Sequence, residues 1–280
     1  MTKNVFDTPF FARFRTKLLL FVLLLLVPAL LLTLHGNLEE RRLHKEHVRE
    51  NAVSISRLAA ANQAQFIRNT RQLLATVAEF PFLVLATNAP FCDVHFQNLL
   101  KLSPDYMTFG LIELNGKVFA SAVKTNRDVN LGDRSYFRRV VQTKQYAIGD
   151  FQIGRLTGQP SLNFGYPIFD ERKRLRRVLF ASLKLSLLSD AISQVQLPAG
   201  GAITIIDRGA NVLARFPEPE KWVGRSVGDH PMARWILAGN EGVIEMVGLD
   251  GVPRLHAVTR VSENNQSSIF VFAGFPLSAS

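Results

Sequence analysis

The sequence predicts an α+β protein: one transmembrane helix, a long helix running on from it, and two tandem modules of antiparallel sheet flanked by helices. Three observations carry this reading. Residues 18–34 form an apolar stretch without a charge. Residues 37–80 keep a helical period and contain no Gly or Pro. From Tyr106 onward the order strand, hairpin, helix, three strands occurs twice.

Composition agrees. The chain has 280 residues, 47% hydrophobic and 20% charged, enough for one large or two ordinary domains. Its single cysteine, Cys92, excludes an internal disulfide and a Cys-based zinc site. Lys and Arg outnumber Asp and Glu, for a formal net charge of +10.

The stretch Leu18–Leu34 reads LLLFVLLLLVPALLLTL. It sits at the short end of the range for a spanning helix, which needs about 20 residues. Pro28 is tolerable there, because local helix adjustment absorbs the lost backbone bond. Lys3, Arg13, Arg15 and Lys17 precede it. Positive flanks stay in the cytoplasm. Residues 1–17 therefore read as a cytoplasmic tail, with Phe6, Phe10, Phe11 and Phe14 at the inner interface. Residues 35–280 read as periplasmic, outside a bacterial inner membrane. A cleaved signal peptide is the rival, but its apolar core is typically about 7–15 residues and it ends in an A-x-A-like site. Thr33-Leu34-His35-Gly36-Asn37 offers none.

Residues 35–80 read as one signalling or dimerisation helix. Leu38, Val48, Ala52, Ile55, Ala59, Phe66, Leu73 and Val77 recur mostly three, four or seven apart, with Asn62 on the same stripe. The run between Gly36 and Pro81 would rise roughly 65 Å as a helix. Such a strut could carry displacement or rotation.

Residues 81–103 read as a loop and a helix bearing Phe91, Phe96, Leu99 and Leu100. Tyr106–Leu114 is a strand, Asn115-Gly116 a strong hairpin signal, and Lys117–Val123 the return. Asp133 is the expected N-cap of a helix over 134–144. Strands follow over 147–155, 161–169 and 176–185, then a helix over 186–195. The cluster Leu197-Pro198-Ala199-Gly200-Gly201 marks the boundary between modules 81–197 and 198–280. The plan then repeats: strands 202–206 and 211–216, a Pro-rich loop, a helix over 231–238, and strands 241–249, 252–261 and 268–275. Asp250-Gly251 supplies the turn between the first two of these. Two such modules argue for two antiparallel sheets with helices packed on one face.

Particular segments carry a family resemblance. Leu131-Gly132-Asp133-Arg134-Ser135-Tyr136-Phe137 is followed by Ile148-Gly149-Asp150-Phe151, Thr157-Gly158-Gln159-Pro160 and Tyr166-Pro167-Ile168-Phe169-Asp170. Trp222-Val223-Gly224-Arg225-Ser226 stands in the second module. In this order the chain resembles the double Cache, PAS-like sensor domains of bacterial chemoreceptors, sensor histidine kinases and diguanylate cyclases. The resemblance covers nearly all of the exported part and lies in the order and spacing of the segments. It implies a small ligand in the membrane-distal module, between the sheet and the helix opening at Arg134. In a subset of the family an arginine there takes the carboxylate of an amino acid, with aromatics two and three positions later. Tyr136 and Phe137 stand where tryptophan and tyrosine would be expected. Gly154 and Ser182 stand where carboxylates would hold an amine, so a small carboxylate is the implied ligand. The resemblance also implies an output domain beyond Ser280 or on a partner: kinase, cyclase or chemotaxis type.

Arg134 supports an anion site on physical grounds. A helix end offers free N–H groups, and arginine adds a bidentate fork. Its alternative is simple pairing with Asp133 or Asp150, or a place in solvent. Strand alternation puts Ile148, Asp150, Gln152 and Gly154 on one face, and Ser161, Asn163 and Gly165 on one face of the next strand. These faces either line the pocket or meet solvent. Phe109 and Tyr136 would supply apolar walls. The expected ligand set is Arg134, Tyr136, Phe137, Phe109, Asp150, Gln152, Ser161, Asn163 and Ser182.

Other signals are weaker. Gly224-Arg225-Ser226-Val227-Gly228 matches G-x-S-x-G, but a nucleophile elbow needs a strand before it and a helix directly after. His44 and His47 share a helix face without a nearby carboxylate. The basic run Glu171–Arg177 lies between strands and reads as a hairpin turn, so no nucleic-acid partner is expected. Without a P-loop or a G-x-G-x-x-G, no cofactor and no enzyme activity are expected. The expected partners are a small molecule, the membrane, and a second copy through the long helix. The competing reading is a membrane-anchored interaction or dimerisation protein without a small ligand.

Overall fold

The computed structural model describes the backbone of residues 9–124, 128–263 and 267–276. The side chains of most of residues 9–44, and of 262, 263, 267 and 268, lie outside this description. The chain divides into two compact units, Met1–Glu50 and Asn51–Ser280.

The first unit holds the start of helix α1 (Pro9–Ala78). The backbone of Leu18–Leu34 is helical, and Phe21, Leu23 and Leu26 are exposed. The predicted tail over 1–17 and the other side chains of the apolar stretch fall outside the described residues. Among the described residues, no helix is long and apolar enough to cross a membrane.

In the second unit, α1 is followed by helices α2 (Pro81–Leu85) and α3 (Ala89–Leu102), then strands β1 (Tyr106–Glu113) and β2 (Val118–Ser121). Next come α4 (Ser135–Thr143), the short strands β3 (Ala147–Ile148) and β4 (Gln152–Ile153), β5 (Pro160–Phe169), β6 (Leu175–Lys184) and α5 (Leu185–Ser193). The remainder is β7 (Ala202–Asp207), β8 (Val212–Phe216), α6 (Pro219–Trp222), α7 (Pro231–Leu237), β9 (Gly242–Val247), β10 (Pro253–Glu263) and β11 (Ser267–Pro276). A six-stranded sheet runs β2-β1-β6-β5-β3 with β4 also on β5, and a five-stranded sheet runs β8-β7-β11-β10-β9. Neighbouring strands pair antiparallel in both. The hairpin after β1 turns at Gly116, whose φ of 86° is one that a side chain disfavours.

Each sheet has two covered faces. The back faces meet α1. The Tyr146 hydroxyl donates to the Ile67 carbonyl at 3.2 Å, Tyr106 and Thr70 share a hydrogen bond of 2.8 Å, and the Ser56 hydroxyl reaches Thr259 Oγ1 at 2.8 Å. The front face of the first sheet lies under α4, around Ile112, Tyr136, Val140, Val178 and Phe180. The front face of the second sheet lies under α7, around Ile206, Met232, Ile236, Val258 and Phe272.

Four expectations are corrected. The buried stripe of α1 is Ala52, Ser56, Ala59, Gln63, Ile67, Thr70, Leu74 and Val77. Asn62 is exposed, and Phe66 and Leu73 are half-buried. Small and polar residues take the buried positions because the helix lies close against the sheets, where hydroxyls find partners. Asp133 does not cap α4: the N-cap residue is Arg134, without a side-chain cap, and both Asp133 oxygens accept from Arg155 at 2.6 and 2.8 Å. The strand over 147–155 is broken at Gly149–Phe151. There the Asp150 and Phe151 amides turn to Ser135 Oγ and to Asp207 Oδ2 of the second module. The Pro-rich segments at 81 and 219 carry the short helices α2 and α6, each with proline in its first turn.

The run 171–177 makes the β5–β6 turn as far as Arg174 and then enters β6. Asp170 Oδ1 accepts from the Arg172 and Arg174 amides at 3.0 and 2.9 Å. Arg177 departs from that exposed pattern. It is buried, donates to the Leu83 and Ala86 carbonyls at 3.0 and 2.9 Å, and lies 3.9 Å over the Phe119 ring. Ser226 of the G-x-S-x-G match bridges Asn211 before α7 begins. His230 caps that helix, its Nδ1 accepting from the Met232 amide at 3.2 Å.

Candidate ligand-binding site

Strand register places Thr108, Ser182 and Asn163 in one row across β1, β6 and β5. They share the front face with Ser161 and Ser121, and all five are buried. The Ser182 hydroxyl donates to Asn163 Oδ1, and Asn163 Nδ2 donates to Ser161 Oγ at 3.0 Å. Ser161 Oγ donates in turn to the Gln152 carbonyl at 3.4 Å, while Thr108 and Ser121 share a bond of 3.2 Å. The result is an uncharged polar ledge inside the first module. Thr108 and Ser121 escaped the sequence reading. Counting both arms back from the Asn115-Gly116 turn would have placed them on one face.

Helix α4 closes over this ledge. Gly165 and Gly149 permit the approach: a Cβ at Gly165 would lie 2.8 Å from Val140 Cγ2, and one at Gly149 would lie 3.2 Å from Tyr136 Cδ1. Tyr136 and Phe137 are buried, and the Tyr136 and Phe180 rings are 6.3 Å apart. Burial raises the Tyr136 hydroxyl pKa, against the lowering effect of the Arg134 charge.

Arg134 stands at the head of α4 with its side chain 17% exposed. Nη2 reaches the Ile153 carbonyl at 3.4 Å, and Nε lies 4.0 Å from Asp133 Oδ1. That Nε is buried and has no hydrogen-bond partner among the described residues. The nearest carboxylate is already engaged, since the hydrogen bond from Arg155 holds Asp133 below the usual carboxylate range. The cation thus keeps an unused donor at the head of a helix, where an anion would also be favoured.

Of the nine expected ligand residues, Arg134, Tyr136, Phe137, Gln152, Ser161, Asn163 and Ser182 come together around α4 and the ledge. Phe109 does not. Its neighbours Thr108 and Gly110 face the front, so alternation turns Phe109 to the back face, its ring 4.9 Å from that of Tyr106. Asp150 is turned away by Arg139, whose Nη2 donates to both carboxylate oxygens at 2.8 and 3.0 Å. An open cavity of about 470 Å³ lies where the ends of β1 and β2 approach the 156–159 loop, with Val123, Leu156, Thr157 and Gln159 in its lining. Arg134 is not among its lining residues.

A double Cache family model, described as a Cache domain, matches residues 41–274. The chain belongs to the Cache-domain family. Among curated relatives, this Cache chain is 25% identical over 179 residues to sporulation kinase D of Bacillus subtilis strain 168. The match covers 62% of this chain and 34% of the kinase, so the chain spans about a third of that relative's length. Among solved structures, the extracellular domain of the histidine kinase rpHK1S-Z16 aligns with a TM-score of 0.69 at 17% identity, over 82% of this chain and 95% of that one. The ligand-binding domain of the Pseudomonas fluorescens chemoreceptor CtaA, solved with L-isoleucine, aligns with a TM-score of 0.66 at 13% identity, over 85% and 95%. At these identities the structural likeness establishes the fold: a long N-terminal helix and two antiparallel sheets.

Proposed function

We propose that this Cache chain is the extracytoplasmic sensory part of a transmembrane receptor, and that it holds a small carboxylate between α4 and the front face of the first sheet. The observation that carries this reading is Arg134, whose buried Nε has no hydrogen-bond partner among the described residues, at the head of the helix that covers the neutral polar ledge. A guanidinium fork matches a carboxylate in two parallel bonds. The hydroxyls of Ser161 and Ser182 and the amide of Asn163 suit a further hydroxyl or carbonyl on the ligand. The CtaA domain with its amino-acid ligand supports this class. With Asp150 held by Arg139, and Gly154 and Ser182 uncharged, a carboxylate without an ammonium group fits best.

Exposed Phe21, Leu23 and Leu26 support an anchor over residues 18–34, and the basic residues Lys3, Arg13, Arg15 and Lys17 before it favour a cytoplasmic N-terminus. The contacts of α1 with both sheets support a signalling role for that helix, and in this reading its exposed side pairs with a second copy. A ligand shifts such a helix only if it binds the two signalling states with different affinity. Similarity to sporulation kinase D supports a kinase as the output. No nucleic-acid partner and no catalytic step belong to this reading.

The test is a thermal-shift screen of the 280-residue chain in detergent against acetate, propionate, lactate, succinate, amino acids and amines. A ligand at 100 times its Kd stabilises by about 2.7 kcal/mol, a readily visible shift. Stabilisation by carboxylates supports the proposal. Stabilisation by amines alone overturns the ligand class, and no response in a folded chain favours a protein that only dimerises or docks.

A further inference from the structure

The second module carries a buried cationic cluster of its own. Arg215 on β8 lies in register with Thr204 on β7 and, through it, with Phe272 on β11, which places it on the front face. Arg215 and Arg254 are 1% and 3% exposed. Arg215 reaches across β7, donating through Nη1 to Thr204 Oγ1 at 2.7 Å and through Nη2 to Asp250 Oδ2 at 2.8 Å. Arg254 grips the same carboxylate at 2.5 and 2.8 Å. Two guanidinium groups therefore share one carboxylate. Glu218, the other acid acting on Arg215, is bonded to Lys221. One buried positive charge is left over, which is unfavourable in a low-dielectric interior unless an anion joins it.

Unused polar atoms gather at the same place. Arg215 Nε, Trp222 Nε1 and both ring nitrogens of His256 are buried and have no hydrogen-bond partner among the described residues. The Trp222 ring centroid lies 5.2 Å from the Arg215 guanidinium carbon. His256 lies close enough to Arg254 and Arg215 to feel both charges. A Cβ at Gly274, its partner on β11, would lie 2.8 Å from His256 Nδ1, so the ring occupies the space that glycine leaves. Each such group left unmatched is destabilising.

We propose that this cluster is a second ligand site, taking a small monoanion between Arg215 and His256 with Trp222 as its outer wall. A single negative charge balances the surplus cation. Arg215 Nε and the Trp222 indole can only donate, so the ligand must be an acceptor. His256 adds a donor without adding charge, because burial pushes its pKa down to about 4. The site lies on the second sheet, with its arginine on a strand and not at a helix head, and does not depend on Arg134.

Tryptophan emission tests it directly. The chain has 2 tryptophans, Trp222 and Trp235, both in the second module. The 280-residue chain is titrated with sodium formate and, separately, with sodium chloride. A saturable emission change with either salt supports the site, and saturation with formate alone narrows it to carboxylates. A linear response or none with both overturns it. His256→Phe should raise the midpoint by about tenfold or more, the loss of a hydrogen bond to a charged group. Arg134→Ala should leave it unchanged. If His256→Phe does not fold, Arg215→Lys, which keeps the charge and removes the Nε donor, must show the same loss. A midpoint that survives in the folded variant, or that moves with Arg134→Ala, also overturns the site.

Discussion

Asn163 and Ser182 face each other across β5 and β6, and the Ser182 hydroxyl donates to the Asn163 side-chain oxygen on the buried front face. Asn163 passes the chain on to Ser161. No member of this chain titrates, so the ledge keeps its character at any physiological pH. Ser182→Ala leaves the Asn163 oxygen buried without a donor. Urea denaturation should show a loss of about 1–3 kcal/mol, and Ser182→Thr, which keeps the hydroxyl, a smaller one.

Gly165 sets how close α4 comes to the ledge. In Gly165→Ala the new methyl would meet Val140 Cγ2 at 2.8 Å and Tyr136 Cδ2 at 3.2 Å. Overpacking of this kind costs about 1–3 kcal/mol. Thermal unfolding should drop accordingly, and carboxylate affinity should fall with it because Arg134 rides on the same helix. An unchanged Tm would mean that α4 lifts freely from the sheet.

Asp150 belongs to Arg139, and the pair is partly exposed, at 23% and 36%. Asp150→Asn should therefore cost under about 1 kcal/mol and leave carboxylate affinity within error. Titration calorimetry decides the second point. A strong loss of affinity would return Asp150 to the ligand set.

His256 gives the second module a pH dependence. Burial, then the charges of Arg254, Arg215 and His230, lower its pKa from the ordinary 6.5 to about 4, against the opposing effect of Asp250. Above pH 6.5 the ring is neutral in both the folded and the unfolded chain. Between pH 6.5 and 4 the unfolded chain takes up the proton and the folded chain does not. Stability therefore falls as pH falls through that window, by on the order of 3 kcal/mol in all. His256→Phe should flatten this slope when denaturation is compared at pH 7 and pH 4.5. Asp250 acts lower down. Burial alone would raise its pKa, but hydrogen bonds from Arg254 and Val252 and the charges of Arg254 and Arg215 hold it at about 2. Its contribution is lost only as pH falls from 3.8 towards 2.

Much of this architecture was legible in the residues. Asn115-Gly116 and Asp250-Gly251 announce their hairpins, and the alternation that put Ser161 and Asn163 on one face is the alternation observed. What stayed hidden depends on contacts between distant segments. Strand alternation sets Phe109 opposite Thr108, but it does not say which face α4 covers. Asp133 has the chemistry of a helix cap, yet Arg155 outbids the backbone with a bidentate pair. The hydrophobic period of α1 pointed to Phe66 and Leu73. The buried face instead holds Ser56 and Thr70, because Thr259 and Tyr106 supply hydroxyl partners there. Arg215, Arg254 and His256 sit on strands that looked ordinary, and only register brings them together.

The most direct test of the sensory reading is titration calorimetry of the best carboxylate from the screen against the wild-type chain and folded Arg134→Ala. Loss of a charge-assisted hydrogen bond, about 1.5–3 kcal/mol, predicts an affinity weaker by about ten- to a hundredfold. Equal affinity in the two chains would contradict an Arg134-centred site.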